Sequence, residues 1–516
     1  MLQVHGLQIT MKKDLRVLVE GLSFSLRPGD KMAVVGEEGN GKSTLLKLIY
    51  DSALVEGYAQ WEGHIQKDGM VLGYLGQELP EADKGKTVYE LCAENDAFLA
   101  ASPKELNALA AKLGLDPGTF YSDQLMGALS GGEKVKLRMA LLALTRPGCY
   151  LLDEPSNDLD LQTLRWLEEF ITGCQEPVLY ISHDEALLEA TANSVLHMEQ
   201  LRRKTLPRHT VARVGYAPYV AERLHNFQKQ EQLAKKERQE ERKQQERFRQ
   251  LYQKVEHQQN AISRQDPHGG RLLKKKMKAV KSLEKRYERE HDAMAQLPDT
   301  EEAILAGFGD NTRPLPGGKT VLDFSLPRLE VRGRVLAENL RLHLRGPEHV
   351  CIIGKNGVGK TTLLRQVAQA LLGREDIKAA YMPQDYGELL DPALTPVEFL
   401  ARTGEKEEHT KIKTYLGSMK YTPEEFSHPV GELSGGQRAK LFFLKMILDG
   451  ANVLVLDEPT RNFSPLSGPV IRGILQGFPG AILSVSHDRR YIGQVCGRVL
   501  ELTEGGLVEM PGFSAL

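Results

Sequence analysis

Two short stretches, GEEGNGKS (Gly36–Ser43) and GKNGVGKT (Gly354–Thr361), share the spacing Gly-x-x-x-x-Gly-Lys-Ser/Thr. Each follows an apolar run and opens a helical pattern. Such a turn wraps backbone N–H groups around phosphate oxygens at a helix N-terminus. Gly36, Gly39 and Gly41, and Gly354, Gly357 and Gly359, supply the tight turns, with Asn356 inside the second loop. Lys42 and Lys360 are placed to reach the β- and γ-phosphates, and Ser43 and Thr361 to ligate Mg²⁺, with Thr44 and Thr362 beside them. Two further runs, CYLLDEP and VLVLDEP, end in paired carboxylates. A buried strand ending at Asp153 or Asp457 would hold magnesium through water, and Glu154 or Glu458 would orient or deprotonate an attacking water. The chemistry is phosphoryl transfer to water.

One such loop would be weak evidence. Here the motifs recur in one order. LSGGE (Leu129–Glu133) and LSGGQ (Leu433–Gln437), LLDEP and VLDEP, and SHD at Ser182 and Ser486 are all offset by 304 residues. The phosphate loops are offset by 318, so the second copy is 14 residues shorter between its first two motifs. The chain is a duplicated domain. Ser130 with Glu133 and Ser434 with Gln437 are also capping boxes, which would start a helix in any protein. Their glycine pairs, Gly131–Gly132 and Gly435–Gly436, leave a bare helix N-terminus that suits an anion.

The order of phosphate loop, LSGG[EQ], LDEP and SHD resembles the ATP-binding cassette ATPases, over about four-fifths of the chain. The resemblance implies an α/β fold with two tandem nucleotide-binding domains facing head to tail, each ATP lying between one phosphate loop and the other domain's LSGG helix. One site would combine Gly36–Ser43, Asp153, Glu154 and His183 with Ser434, Gly435, Gly436 and Gln437. The other would combine Gly354–Thr361, Asp457, Glu458 and His487 with Ser130, Gly131, Gly132 and Glu133. Gln77 and Gln384 would contact Mg²⁺ and water. Two departures stand out. Ser464 occupies the place where this family usually has Asp, implying unequal sites. No aromatic precedes either phosphate loop to stack adenine, so Arg16 or Arg334 is the stacking candidate.

These motifs need elements to carry them, and the segment between the copies differs from both. Between Ala221 and Leu297 stand 20 Lys and Arg against 12 Asp and Glu, a balance of +8 that leaves −10 for the rest of a chain of formal charge −2. Its sparse apolar residues, Leu224, Phe227, Phe248, Leu251 and Val255, then Leu273, Met277, Val280, Leu283, Tyr287 and Met294, step by three and four. The pattern predicts two long antiparallel helices of about 35 residues, roughly 50 Å each, turning at Asp266–Gly270. The expected organisation is a first ATPase domain over 1–220, a helical hairpin over 221–298 with its tip near 260–272, and a second ATPase domain over 299–516. The alternative is a solvated charged linker.

Tandem cassettes joined by a basic arm, without an 18-residue apolar run, resemble the F subfamily rather than a transporter motor, whose cassettes need no such arm. Both lysines and both catalytic carboxylates argue against a non-catalytic clamp. The resemblance implies a cytoplasmic protein, monomeric off the ribosome and with no membrane partner. Its hairpin would enter the 70S exit site toward 23S rRNA and P-site tRNA. Arg264, His268, Arg271, Lys274, Lys275, Lys276 and Lys278 are the candidate RNA contacts. TRNFSPLSGP, after the second LDEP, is similar to members conferring lincosamide, pleuromutilin and streptogramin A resistance. Intervals of 52 residues (Gln77–Leu129) and 49 (Gln384–Leu433) leave no room for a sizeable extra arm in the first cassette, and only 29 residues follow His487. A housekeeping or quality-control translation factor is the alternative, and a transporter ATPase subunit a further one. Five scattered cysteines give no CxxC pair and no zinc pattern.

Overall fold

The computed structural model describes residues 1–157, 159–201, 205–261, 274–280, 282, 312, 314–331 and 333–511. Residues Met1–Tyr216 and Glu301–Leu516 form one compact unit, and Ala217–Thr300 a second.

Each cassette is built on a six-stranded sheet. In the first the order is Leu72–Leu75, Cys149–Asp153, Val178–Ile181, Lys31–Val35, Ser194–Gln200, Leu206–Ala212. The first five are parallel and the last is antiparallel. The second repeats it: Ala379–Met382, Val453–Asp457, Ala481–Val485, His349–Ile353, Arg498–Thr503, Gly506–Glu509. Lys31–Val35, Cys149–Asp153, Val178–Ile181, Val453–Asp457 and Ala481–Val485 are buried along their whole length, as a parallel sheet with both faces covered requires. Both phosphate loops leave the C-terminal end of a central strand, where open α/β sheets bind ligands. The motifs are therefore placed by topology, not by proximity in sequence.

The duplication is not exact. A three-stranded antiparallel sheet (Leu2–Met11, Val17–Leu26, Ala59–Gln66) flanks the first cassette, and a two-stranded one (Thr320–Val331, Arg334–Arg345) the second. Separate apolar clusters fill the two cores, around Val34, Leu45, Leu151 and Ile181 in the first and Ile352, Leu363, Val455 and Leu483 in the second. The LSGG helices, Gly131–Leu144 and Gly435–Asp449, are buried on further apolar clusters, through Leu137 and Ala140 and through Phe442 and Phe443.

All but the first residue of one helix, Tyr216–Ala261, falls in the second unit; its 46 residues span about 70 Å at 1.5 Å per residue. It exceeds the expected 35 because nothing after Pro218 breaks it, and Pro218 sits in the first turn, where proline is tolerated. The expected apolar stripe is corrected at two of its positions, Leu224 and Leu251. Leu224 and Leu251 are 57% and 48% exposed. The covered face keeps the expected Phe227, Phe248 and Val255 and adds Ala234, spaced by multiples of seven, the repeat of a supercoiled seam. Residues 274–280 are helical, with Val280 buried and Met277 half-buried. Lys274, Lys275, Lys276 and Lys278 are exposed. Arg264, His268, Arg271, the turn at Asp266–Gly270, and Leu273, Leu283, Tyr287 and Met294 lie outside the described residues.

Candidate active site

Glycine sets the shape of both phosphate loops. Gly36 and Gly354 sit at φ 147°, and Gly41 and Gly359 at 88° and 100°, a region side chains avoid. A Cβ on Gly36 would stand 2.1 Å from the Met198 carbonyl oxygen, and one on Gly354 2.7 Å from that of Leu502. Each loop therefore lies flat on a neighbouring strand. The helices that follow, Lys42–Tyr50 and Lys360–Leu372, have no side-chain cap, which leaves their first N–H groups suited to an anion. Lys42 Nζ donates to the Gly36 and Glu37 carbonyls at 2.8 and 3.0 Å, and Lys360 Nζ to Gly354 and Lys355 at 2.8 and 2.9 Å. Both ammonium groups are thus held over their own loops.

Strand register brings the acids to the loops. Asp153 pairs with Ile181, and Asp457 with Val485, so the next residue, Glu154 or Glu458, lies beside Ser-His of the SHD motif. Both glutamates adopt φ 51°, strain of about 1–3 kcal/mol that is kept where function needs it. Ser43 Oγ donates to Asp153 at 2.9 Å. Both carboxylate oxygens of Asp457 are buried with no hydrogen-bond partner, and burial pushes its pKa up to about 6. A carboxylate so orphaned beside a phosphate loop fits a divalent cation. Ser43 with Asp153, and Thr361 with Asp457, would hold it; Gln77 and Gln384 line the same two cavities.

The two histidines differ. His183 Nε2 lies 2.9 Å from Glu154, and its Nδ1 lies 2.7 Å from the Phe463 carbonyl oxygen of the other cassette. Burial opposes charge on both groups, but their mutual attraction wins: the His183 pKa is raised and that of Glu154 is lowered. In the second site His487 Nε2 is 3.9 Å from Glu458 and Nδ1 has no partner. Burial, aided by Lys360, pushes His487 down to about 3, while burial and Asp457 push Glu458 up to about 8. The first site thus couples its carboxylate and imidazole closely, and the second holds them apart. His183→Ala is therefore expected to lower stability by about 2 kcal/mol, the range for a charge-assisted hydrogen bond, and His487→Ala by much less; thermal unfolding of the two variants checks this.

The LSGG helices begin with complete capping boxes on Ser130 with Glu133 and Ser434 with Gln437. The Gly436 N–H donates to the Glu38 carboxylate of the first phosphate loop, which places the second LSGG helix opposite Gly36–Ser43. Beside it Glu37 accepts from Ser464 at 2.8 Å and Ser467 at 2.5 Å and lies 3.6 Å from Lys440. Burial would raise its pKa, but Lys440, the two hydroxyls and Lys42 hold it below the usual range.

A cavity of ≈ 360 Å³ at this loop is lined by Lys42, Ser43, Thr44, Gln77, Glu154 and, across the interface, Asn462. Arg16 also lines it. A larger one of ≈ 580 Å³ at the second loop is lined by Asn356, Lys360, Thr361, Thr362, Gln384, Glu458 and His487. Arg334, and Gly131 of the first cassette, border it as well. Ser130, Gly132 and Glu133, and Ser434, Gly435 and Gln437, do not line either cavity. Glu37 and Glu38 escape motif reading because the loop pattern leaves those positions free. Two acids in a phosphate-binding turn are nonetheless a visible anomaly.

The ABC transporter family model matches residues 19–157 and 337–461, half of the chain. The chain belongs to that family. It is an ABC ATPase with two nucleotide-binding cassettes. It is 29% identical to the tylosin resistance ATP-binding protein TlrC of Streptomyces fradiae, covering 98% of this chain and 97% of the relative. It is 26% identical to ABC transporter F family member 2 of Arabidopsis thaliana, over 96% of this chain and 76% of that one. Among solved structures it matches the archaeal ribosome recycling factor aABCE1, crystallised with the ribosomal stalk protein aP1, at 18% identity and TM-score 0.58, covering 98% and 90%. That likeness concerns the fold. Among the described residues no helix is long and apolar enough to cross a membrane.

Proposed function

We propose that this ABC ATPase is an F-subfamily ribosome-protection factor. In its ATP-closed state it binds the 70S ribosome, and the segment between the cassettes reaches toward P-site tRNA and the peptidyl transferase centre and dislodges bound antibiotics. The observation that carries this reading is the arm itself: a 46-residue helix and a second helical segment with four exposed lysines, inserted between two ATPase cassettes. Such a charge pattern suits phosphate backbones read by shape. Similarity to a tylosin resistance protein supports the drug-related role. The fold shared with a ribosome recycling factor favours the second reading, a housekeeping translation factor.

In the cycle, Lys42 and Lys360 leave their own loop carbonyls to meet the β- and γ-phosphates, while the bare helix N-termini face the anion. Bound Mg²⁺ neutralises charge on the phosphates. Glu154 or Glu458 takes the proton of water as it attacks the γ-phosphorus, and the bond to the bridging oxygen of ADP breaks. Loss of the γ-phosphate removes what joins the loop to the opposite LSGG helix, so the cassettes part and the protein leaves the ribosome. It works in the cytoplasm as a monomer.

Translation in a membrane-free bacterial extract tests the proposal. With synthesis stalled by lincomycin, tiamulin or a streptogramin A, purified protein and ATP are expected to restore it. No rescue with any of the three, while the protein still pellets with ribosomes, would replace protection with the housekeeping role.

A further inference from the structure

Among the described residues the ion pairs that join the cassettes are segregated by copy, although Asp488 of the second cassette also stands near Glu185. Arg472 of the second cassette donates to both oxygens of Glu185 of the first, at 2.6 and 2.9 Å, in a buried bidentate pair. Arg489 bonds Glu168 and lies 3.7 Å from Asp184. Arg490 bonds Glu189. Every acid in this set comes from the first cassette and every base from the second.

The repeat offset gives this segregation its meaning. Position 168 corresponds to 472, and 185 to 489, both by 304 residues. Glu168 thus touches the equivalent of Glu185, and Glu185 touches the equivalent of Glu168. This is the geometry of an isologous contact, in which the same two positions meet twice. In a pair of first cassettes glutamate would face glutamate at both places. In a pair of second cassettes arginine would face arginine. The phosphate-loop contact repeats the theme, since Glu37 faces Ser464, whose counterpart in the first cassette is Asp160.

Packing confirms that the pair is built in. A Cβ on Gly468 would lie 2.1 Å from Glu185 Oε1 and 2.8 Å from an Arg472 nitrogen, so glycine there makes room for it. A buried pair of this kind adds modest net affinity but strongly penalises a mismatched partner.

We propose that Glu168 and Glu185, against Arg489 and Arg472, are a pairing code: the face of the first cassette accepts a second cassette and rejects another copy of itself. Closure then joins one cassette of each kind, and chains meeting at high local concentration on a ribosome do not pair like with like.

A charge swap in the full chain tests the code. E168R/E185R and R472E/R489E are each expected to cut ATP turnover at least about tenfold, the scale of coupling between contacting charges. The quadruple variant, with both pairs reversed, is expected to recover to within about threefold of the wild type. A quadruple variant that folds but is no faster than either double would overturn the code. If the quadruple variant does not fold, the neutral E168Q/E185Q decides: turnover well above that of E168R/E185R supports rejection by like charge, and equal turnover overturns it.

Discussion

Replacing Glu154 and Glu458 together with glutamine is expected to cut ATP turnover by about 10²–10⁴-fold, the usual contribution of a positioned general base, while ATP binding survives. Glutamine keeps the volume and one carbonyl oxygen but cannot take the water's proton. The geometry explains why closure should persist. His183 remains bonded to the Phe463 carbonyl of the opposite cassette, and Glu37 and Glu38 keep their bonds to Ser464, Ser467 and Gly436. None of these contacts needs the catalytic carboxylate. The single variants should differ from each other, because Glu154 lies 2.9 Å from His183 whereas Glu458 and His487 are 3.9 Å apart. Glu154→Gln should also lower the His183 pKa, because it removes the attraction that raises it; the imidazole proton resonances report this.

Gly36→Ala is expected to abolish nucleotide binding at the first site. Its Cβ would stand 2.1 Å from a backbone oxygen, at φ 147°. The obstacle is Met198, in the strand Ser194–Gln200, which pairs with Lys31–Val35, so it cannot yield without opening the sheet. The loop must move instead, and with it the N–H groups meant for phosphate. Overpacking of this kind costs about 1–3 kcal/mol or more, and a misplaced anion cradle loses about 10²-fold in function. Gly354→Ala meets Leu502 at 2.7 Å and should be the milder of the two. Titration of each variant with a fluorescent ATP analogue reads the difference directly.

What the sequence disclosed follows from what each feature depends on. The phosphate loops, the carboxylate strand ends and the SHD motifs are local: the chemistry demands fixed residue types at fixed spacing, and a shared offset of 304 residues implies one fold used twice. The cross-interface contacts are not local. Nothing in GEEGNGKS says that Glu37 reaches Ser464, 427 positions away, because the partner is chosen by how two cassettes meet. The helix after Tyr216 was legible in kind and only partly in face, at Phe227, Phe248 and Val255. Leu224 and Leu251 look like core residues and are exposed, while Ala234 is buried and is too small to mark a stripe. The four exposed lysines at 274–278 kept the role that composition gave them, as a basic surface on a helix.

The most direct test of the account uses the glutamine pair. E154Q/E458Q protein is incubated with purified 70S ribosomes and pelleted through sucrose, with ATP, with ADP or without nucleotide. The account predicts stable co-sedimentation with ATP, and little with ADP or without nucleotide. Equal recovery under all three conditions, or none with ATP, would contradict the claim that closure of two ATP-loaded cassettes is what binds the ribosome.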